Sequence, residues 1–138
     1  MKALVVERSS TMRAVLCRIL SMRGFEVAEA DDCGQAWTVL HDMGKAALIL
    51  VDWNLHELDS LEFIARLRLE MARETMIIML VAAAPGMREL HSALIAGADD
   101  YLMKPFTTLQ IDEKLHRLGL LSHPVGGVIR DALLADRD

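Results

Sequence analysis

No run of lysine or arginine of any length occurs in the 138 residues, and the formal net charge is −5. Bulk nucleic-acid binding favours clustered basic side chains, so the composition argues against it. No apolar stretch approaches the ~20 residues that a membrane helix needs. Residues 1–6 are apolar only briefly before Glu7 and Arg8, too short a stretch for a signal peptide. The two cysteines, Cys17 and Cys33, have neither redox nor ligand spacing, which fits a reduced, cytoplasmic setting. His41, His56, His91, His116 and His123 form no H-x₃₋₅-H pair, which argues against a metal site built from them. Neither G-x-x-x-x-G-K nor G-x-G-x-x-G is present, so nucleotide binding has no support. Internal repeats and low-complexity segments are missing as well.

What is present is a globular composition, 53% hydrophobic and 25% charged, in a chain long enough for one domain with a proper core. The pattern alternates strand and helix five times. Residues 3–6 are a continuous apolar run, as in a strand buried on both faces of a parallel sheet. Ser9, Ser10 and Thr11 offer N-cap hydroxyls to a helix striped by Met12, Val15, Leu16, Ile19 and Leu20 and stopped at Gly24.

Residues 25–30 read as a second, less apolar strand, as at a sheet edge. Asp31 and Asp32 cap a helix that runs to about Met43, with Gly44 as its stop. Residues 48–51 form a third strand ending in Asp52. Asp59 and Glu62 have capping-box spacing for the next helix, continued by Phe63, Ile64, Leu67 and Met71. Residues 76–81 are a fourth strand. Pro85 and Gly86 open a helix with Leu90, Leu94 and Ile95 inward and Gly97 at its end. Residues 101–103 are a fifth strand, and Thr107 and Gln110 cap a last helix striped by Ile111, Leu115 and Leu118. Strict β-α alternation implies a parallel sheet with helices on both faces. Residues 1–119 form this domain. Residues 120–138 are a tail with linker character at His123-Pro124 and Gly126-Gly127 and one short helical stripe.

In an open parallel sheet, function gathers beyond the carboxyl ends of the strands. The first strand ends in Glu7 and Arg8, the third in Asp52 and the fifth in Lys104, so four charged groups converge on one edge. A carboxylate among cations can act as a nucleophile toward a phosphoryl group, with the cations steadying its oxygens. Three segments make a resemblance specific. Leu4-Val5-Val6-Glu7-Arg8-Ser9-Ser10-Thr11-Met12-Arg13 is similar to the opening of response-regulator receiver domains of the chemotaxis type. Val51-Asp52-Trp53-Asn54-Leu55, followed by Asp59 and Leu61, resembles their phosphoacceptor loop. Ala96-Gly97-Ala98-Asp99-Asp100-Tyr101-Leu102-Met103-Lys104-Pro105-Phe106 resembles their final strand and Lys-Pro-Phe turn.

The resemblance spans about residues 2 to 119 and implies an α/β, flavodoxin-like, doubly wound sheet of five parallel strands. It makes Asp52 the phosphoacceptor, Lys104 a phosphoryl contact and Tyr101 the aromatic switch. It makes Glu7, Asp52 and the backbone carbonyl of Asn54 the holders of Mg²⁺. Four positions depart from the family. Arg8 replaces a second acid, Ala82 replaces a hydroxyl residue, His56 replaces Pro and Ser60 replaces Gly. Glu7, Arg8, Asp52 and Lys104 together carry no net charge, against −2 for the usual set, so Mg²⁺ binding is expected to be weak or absent unless Arg8 swings into solvent. An inward Arg8 would instead pair with Asp52.

The implied role is a stand-alone, cytoplasmic, non-enzymatic receiver in two-component phosphorelay signalling. Its phosphoryl donor would be a sensor histidine kinase or phosphotransfer protein, and its output would pass to a protein partner. No nucleic-acid or membrane partner is implied, and homodimerisation stays open. Two alternatives stand beside it: a degenerate receiver that signals by binding alone because of Arg8 and Ala82, and a small aspartyl phosphotransferase or phosphatase. The remaining aromatics have plainer readings, Trp37 as helix packing and Trp53 as a partly exposed ring beside the site.

Overall fold

The structure is a computed structural model that describes residues 1–53, 57–70, 76–83 and 87–121, with backbone alone at 57–59 and 87. Its elements are β1 (Lys2–Val6), α1 (Ser10–Met22), β2 (Glu26–Ala30), α2 (Cys33–Met43), β3 (Leu48–Asp52), α3 (Glu57–Glu70), β4 (Ile77–Ala83), α4 (Met87–Ala96), β5 (Asp100–Lys104) and α5 (Thr108–Arg117). The five strands form one parallel sheet in the order β2-β1-β3-β4-β5. The less apolar second strand is therefore an edge, as its composition predicts. The chain divides into two units, Met1–Lys104 and Pro105–Asp138.

Within the first unit, side chains alternate across the sheet with the period of two that a pleated strand imposes. Leu4, Val6, Ile49, Val51, Ile78 and Leu80 share one core with Ala36 and Leu40 of α2, Phe63, Ile64 and Leu67 of α3, and Ala93 of α4. Ala3, Val5, Leu48, Leu50, Met79 and Val81, equally buried, point the other way. The α1 residues Leu16, Ile19 and Leu20 are buried too but belong to neither that core nor its helices. The local signals act as read for two helices here. Ser9 Oγ accepts the Met12 amide to start α1, and Asp32 accepts the Gln35 amide to start α2. In the second unit, Thr107 and Gln110 form a complete capping box on α5. Ile111 and Leu115 on that helix are buried, as expected of its apolar stripe.

Three local expectations fail. Helix α3 begins at Glu57, so Asp59 lies inside the helix and does not cap it. Inside the helix the Asp59–Glu62 spacing is simply i,i+3, which a capping box shares in sequence. Val15 of α1 is exposed, which leaves the helix a narrower inward stripe. On α4, Leu94 is 45% and Ile95 73% exposed, whereas Ala93 is buried and Leu90 packs against the core. The inward side of α4 is the one on which Ala93 shares the core with Phe63, Ile64 and Leu67 of α3. Met71, Pro85, Gly86 and the tail from 122 lie outside the described residues.

One polar node ties the starts of β4 and β5 to α3. The Arg68 guanidinium donates to the carbonyls of Gly97 and Met76 and to Asp99 Oδ2, the last at 2.6 Å. Asp99 Oδ2 also accepts the Ile78 amide. Gly97 has φ +130°, and a Cβ there would fall 2.9 Å from Arg68 Cβ. Position 97 thus requires glycine on two counts, backbone conformation and space. Replacing Arg68 with Ala leaves a nearly buried carboxylate and two carbonyls without their cation, and is expected to cost about 3 kcal/mol, as for other broken buried pairs. Gly97→Ala should also destabilise, by about 1–3 kcal/mol from backbone strain alone. Urea unfolding of both variants checks this; midpoints equal to the parent would remove the node from any account of stability.

Candidate functional site

Three elements of the first unit deliver charged side chains to the carboxyl edge of the sheet. Glu7 follows directly on β1, Asp52 is the last residue of β3 and Lys104 the last of β5. Strands of a parallel sheet end together, so these ends are neighbours although the residues are far apart in sequence. Glu7 is 1% exposed and Asp52 2%. Lys104 Nζ lies 3.1 Å from Glu7 Oε1 and 3.5 Å from Asp52 Oδ1. Only the Asp52 contact has hydrogen-bond direction. The Glu7 contact is a close charge–charge approach off the line of a hydrogen bond, and Glu7 Oε1 remains a buried acceptor without a hydrogen-bond donor among the described residues.

The rest of Glu7 is fixed by its neighbours. Its Oε2 accepts the Ser9 amide at 3.0 Å, its amide donates to the Ala30 carbonyl, and its carbonyl accepts Arg13 Nη1 at 2.8 Å. Arg13 is itself held by Glu29 Oε1 at 2.9 Å. Burial raises the Glu7 pKa above the ordinary carboxylate range, and the Asp52 carboxyl beside it raises it further. The Ser9 amide and Lys104 act in the opposite direction. Two acids and one ammonium thus share a buried site with a formal charge of −1.

Arg8 does not join them. It is exposed and makes no ion pair among the described residues, so neither the neutral four-charge cluster nor an Arg8–Asp52 fork forms. The cause is physical: a guanidinium on a long stem reaches water at little cost, while Lys104 already supplies the one cation that the two carboxylates need. Ala82 is buried on β4 beside Met103 of β5 and brings no hydroxyl. Tyr101, on β5, is half-buried against the main core. Asn54 and His56 lie outside the described residues.

Sequence reasoning missed two partners of the site. One is Arg13, whose position one turn beyond the Ser9 cap brings it back over the Glu7 carbonyl. The other is Ser60, noted only as a departure from Gly. Its buried hydroxyl donates to the Asp52 carbonyl at 3.1 Å. The side chains read as packing behave as such. Trp37 meets Phe63 edge-on with centroids 5.2 Å apart, and the Arg66 guanidinium covers the Trp37 ring at 4.7 Å. These residues, with Asp32, Cys33 and Glu62, line a cleft of about 470 Å³ between α2 and α3 that includes no member of the carboxylate site. Burial pushes the Cys17 thiol up to about 11, which leaves it protonated and unreactive.

A doubly wound parallel sheet that buries two carboxylates at its carboxyl edge and bridges them with a half-buried lysine defines a class of protein with an acidic, lysine-bridged pocket suited to taking up a phosphoryl group. Comparison places the chain within that class. Residues 3–116 match the response regulator receiver domain, and the chain belongs to that family. It is 38% identical over 116 residues to a chemotaxis protein CheY homolog of Campylobacter jejuni, covering 83% of this chain and 89% of the relative. It is 35% identical to the chemotaxis protein CheY1 of Helicobacter pylori, covering 83% and 94%. Among solved structures it resembles a response regulator from Thermotoga maritima, with TM-score 0.75, 27% identity and coverage of 85% and 95%. It also shares its fold with Vibrio cholerae CheY4, with TM-score 0.76, 23% identity and coverage of 85% and 97%. The five parallel strands and five helices are thus those of the flavodoxin-like receiver fold.

Lys104→Met tests the electrostatics without reference to function. It leaves two buried carboxylates facing each other with no cation, a loss expected to be about 3 kcal/mol at neutral pH. The sign with pH follows from which form is penalised. Burial and Asp52 already raise the Glu7 pKa and Lys104 opposes them, so without Lys104 ionised Glu7 is the costly species and the variant should recover toward the parent as pH falls and Glu7 takes up a proton. Stability curves of parent and variant from neutral pH into the acid range check this. A constant gap would mean that Lys104 acts by packing alone.

Proposed function

We propose that this protein is a receiver that accepts a phosphoryl group on Asp52 and passes the signal on by protein contact. The observation that carries the reading is the buried Glu7–Lys104–Asp52 cluster with Arg8 turned out of it. Asp52 is the only carboxylate of the pair that ends a central strand, and its Oδ1 is already paired with the cation that can follow the charge onto a phosphoryl oxygen. An Asp52 carboxylate oxygen attacks phosphorus in a donor phosphohistidine. An O–P bond forms, the N–P bond breaks, and the ring nitrogen keeps the electron pair and takes a proton. Lys104 stabilises the oxygens of the group in transit. The donor class is a sensor histidine kinase or a phosphotransfer protein, and the setting is cytoplasmic. No helix among the described residues is long and apolar enough to cross a membrane.

Receivers as a family use Mg²⁺, and the donor set here fits a weakly held ion. Magnesium is commonly bound through one or two carboxylates with water completing its shell. Glu7 and Asp52 supply that pair, and Glu7 Oε1, which has the Lys104 charge beside it but no hydrogen-bond donor among the described residues, keeps a lone pair that a metal could take. Bound there, Mg²⁺ would neutralise phosphoryl charge. Arg8 in place of an acid lowers the affinity at a distance, since its charge is screened by solvent but not abolished.

Output is assigned to the α4–β5 side of the first unit. Leu94 and Ile95 of α4 and Met103 of β5 are exposed apolar side chains, a surface more suited to a protein partner than to water. Ala82 favours a second reading of that output. With no hydroxyl to follow a phosphoryl group, displacement of Tyr101 is weakly driven, so binding that depends little on phosphorylation is the alternative. Catalytic turnover is not part of either reading.

Intact mass after incubation with a small phosphodonor, with and without Mg²⁺, tests the proposal. The parent should gain one Mg²⁺-dependent phosphoryl adduct and Asp52→Asn none. Arg8→Asp should bind Mg²⁺ at least about tenfold more tightly, equivalent to 1.4 kcal/mol. An adduct that persists on Asp52→Asn would move the acceptor elsewhere. An adduct on Arg8→Asp but none on the parent would establish the binding-only alternative.

A further inference from the structure

Ser60 sits in the first turn of α3 with its side chain fully buried, 0% exposed. Its hydroxyl donates to the carbonyl of Asp52 at 3.1 Å, across eight residues of chain. A hydroxyl has one proton to give. Serine inside a helix commonly gives it to a carbonyl one turn back. Here the proton goes instead to the end of the strand that carries the acidic pocket.

The Asp52 carbonyl lies where the sheet stops helping on one side. The β1–β3 ladder ends at the Val6–Val51 pair, while the β3–β4 ladder continues to Asp52 and Val81. Beyond Val51, β1 offers no further rung to hold the chain. The Ser60 hydroxyl fixes the peptide plane that follows Asp52, and with it the direction of the Asp52 Cα–Cβ bond. The Lys104 contact then acts on a carboxylate whose base is held from behind.

We infer that Ser60 is a positioning residue for phosphoryl acceptance: its hydroxyl, through the Asp52 carbonyl, aims the Asp52 carboxylate at the incoming phosphorus. The inference rests on the receiver reading above. It adds a residue that touches neither donor nor metal and that stands where the family usually has Gly. Glycine supplies no donor, so in this chain the hydroxyl is an added constraint on the pocket.

The test compares Ser60→Ala, Ser60→Gly and Ser60→Thr with the parent, at saturating Mg²⁺ and varied phosphoramidate, by intact mass. Thermal unfolding is recorded alongside, as is the ¹⁵N–¹H signal of Trp53, whose amide adjoins the Asp52 carbonyl. Ser60→Ala and Ser60→Gly should slow the limiting phosphorylation rate about fivefold, the rate equivalent of one net hydrogen bond. The donor concentration at half-maximal rate should hold steady, and the Trp53 amide signal should move. Ser60→Thr, which keeps the hydroxyl, should restore rate and signal. Ser60→Gly guards against a folding defect in Ser60→Ala, since receivers accommodate Gly at this position. Limiting rates equal to the parent in both hydroxyl-free variants overturn the positioning role and leave the receiver reading intact. So does a change confined to the half-maximal concentration. Absence of any adduct on the parent overturns the receiver reading and this inference together.

Discussion

Two carboxylates buried to within a few per cent of full occlusion cannot both stay ionised side by side at little cost without a cation, and Lys104 is that cation. Taking a charge out of water costs several kcal/mol even after relaxation, and an ammonium near both acids returns part of that cost. The arrangement constrains three strands at once, since Glu7, Asp52 and Lys104 end β1, β3 and β5. A sheet in the order β2-β1-β3-β4-β5 places β3 at its centre, so Asp52 is mounted on a strand paired on both sides.

A lysine-bridged pair of acids is also an incomplete solution. Glu7 Oε1 keeps an unfilled acceptor position, and burial together with Asp52 pushes the Glu7 carboxyl toward its protonated form. Both features mark a site that gains by receiving positive charge or by having its negative charge rearranged. That is the physical condition for a switch. The closed, fully satisfied Arg68–Asp99 node at the far end of β4 and β5 is the contrast: every arm of its guanidinium has a partner, and its work is to hold strands in place.

The strand–helix alternation, the edge position of β2 and the convergence of Glu7, Asp52 and Lys104 were all legible in the sequence. Each follows from local composition plus one rule, that strands of a parallel sheet end together. The failures were of another kind. Leu94 and Ile95 fit a helical stripe as well as Ala93 does, and periodicity cannot tell which face a neighbouring helix will cover. Asp59 and Glu62 have capping-box spacing whether or not the helix starts there. Ser60 looked like a mild replacement because its partner is a backbone carbonyl, which no side-chain pattern displays.

Arg8 shows how charge counting by sequence position goes wrong. Adding its charge to the pocket gives zero and an expectation of weak or absent Mg²⁺ binding, which holds only if Arg8 stays in the pocket. Yet adjacent residues at a strand end need not share an environment: Glu7 is pinned by the Ser9 amide and its own backbone partners, while Arg8, with no such anchor, extends into water. An exposed guanidinium on the residue after Glu7 lowers the local concentration of cations and raises that of anions without filling the site. On the receiver reading proposed above, the substitution would weaken metal attraction while favouring the approach of an anionic phosphodonor. Loss of the second acid is for that reason a change in the balance between metal and donor, and not by itself the removal of the site.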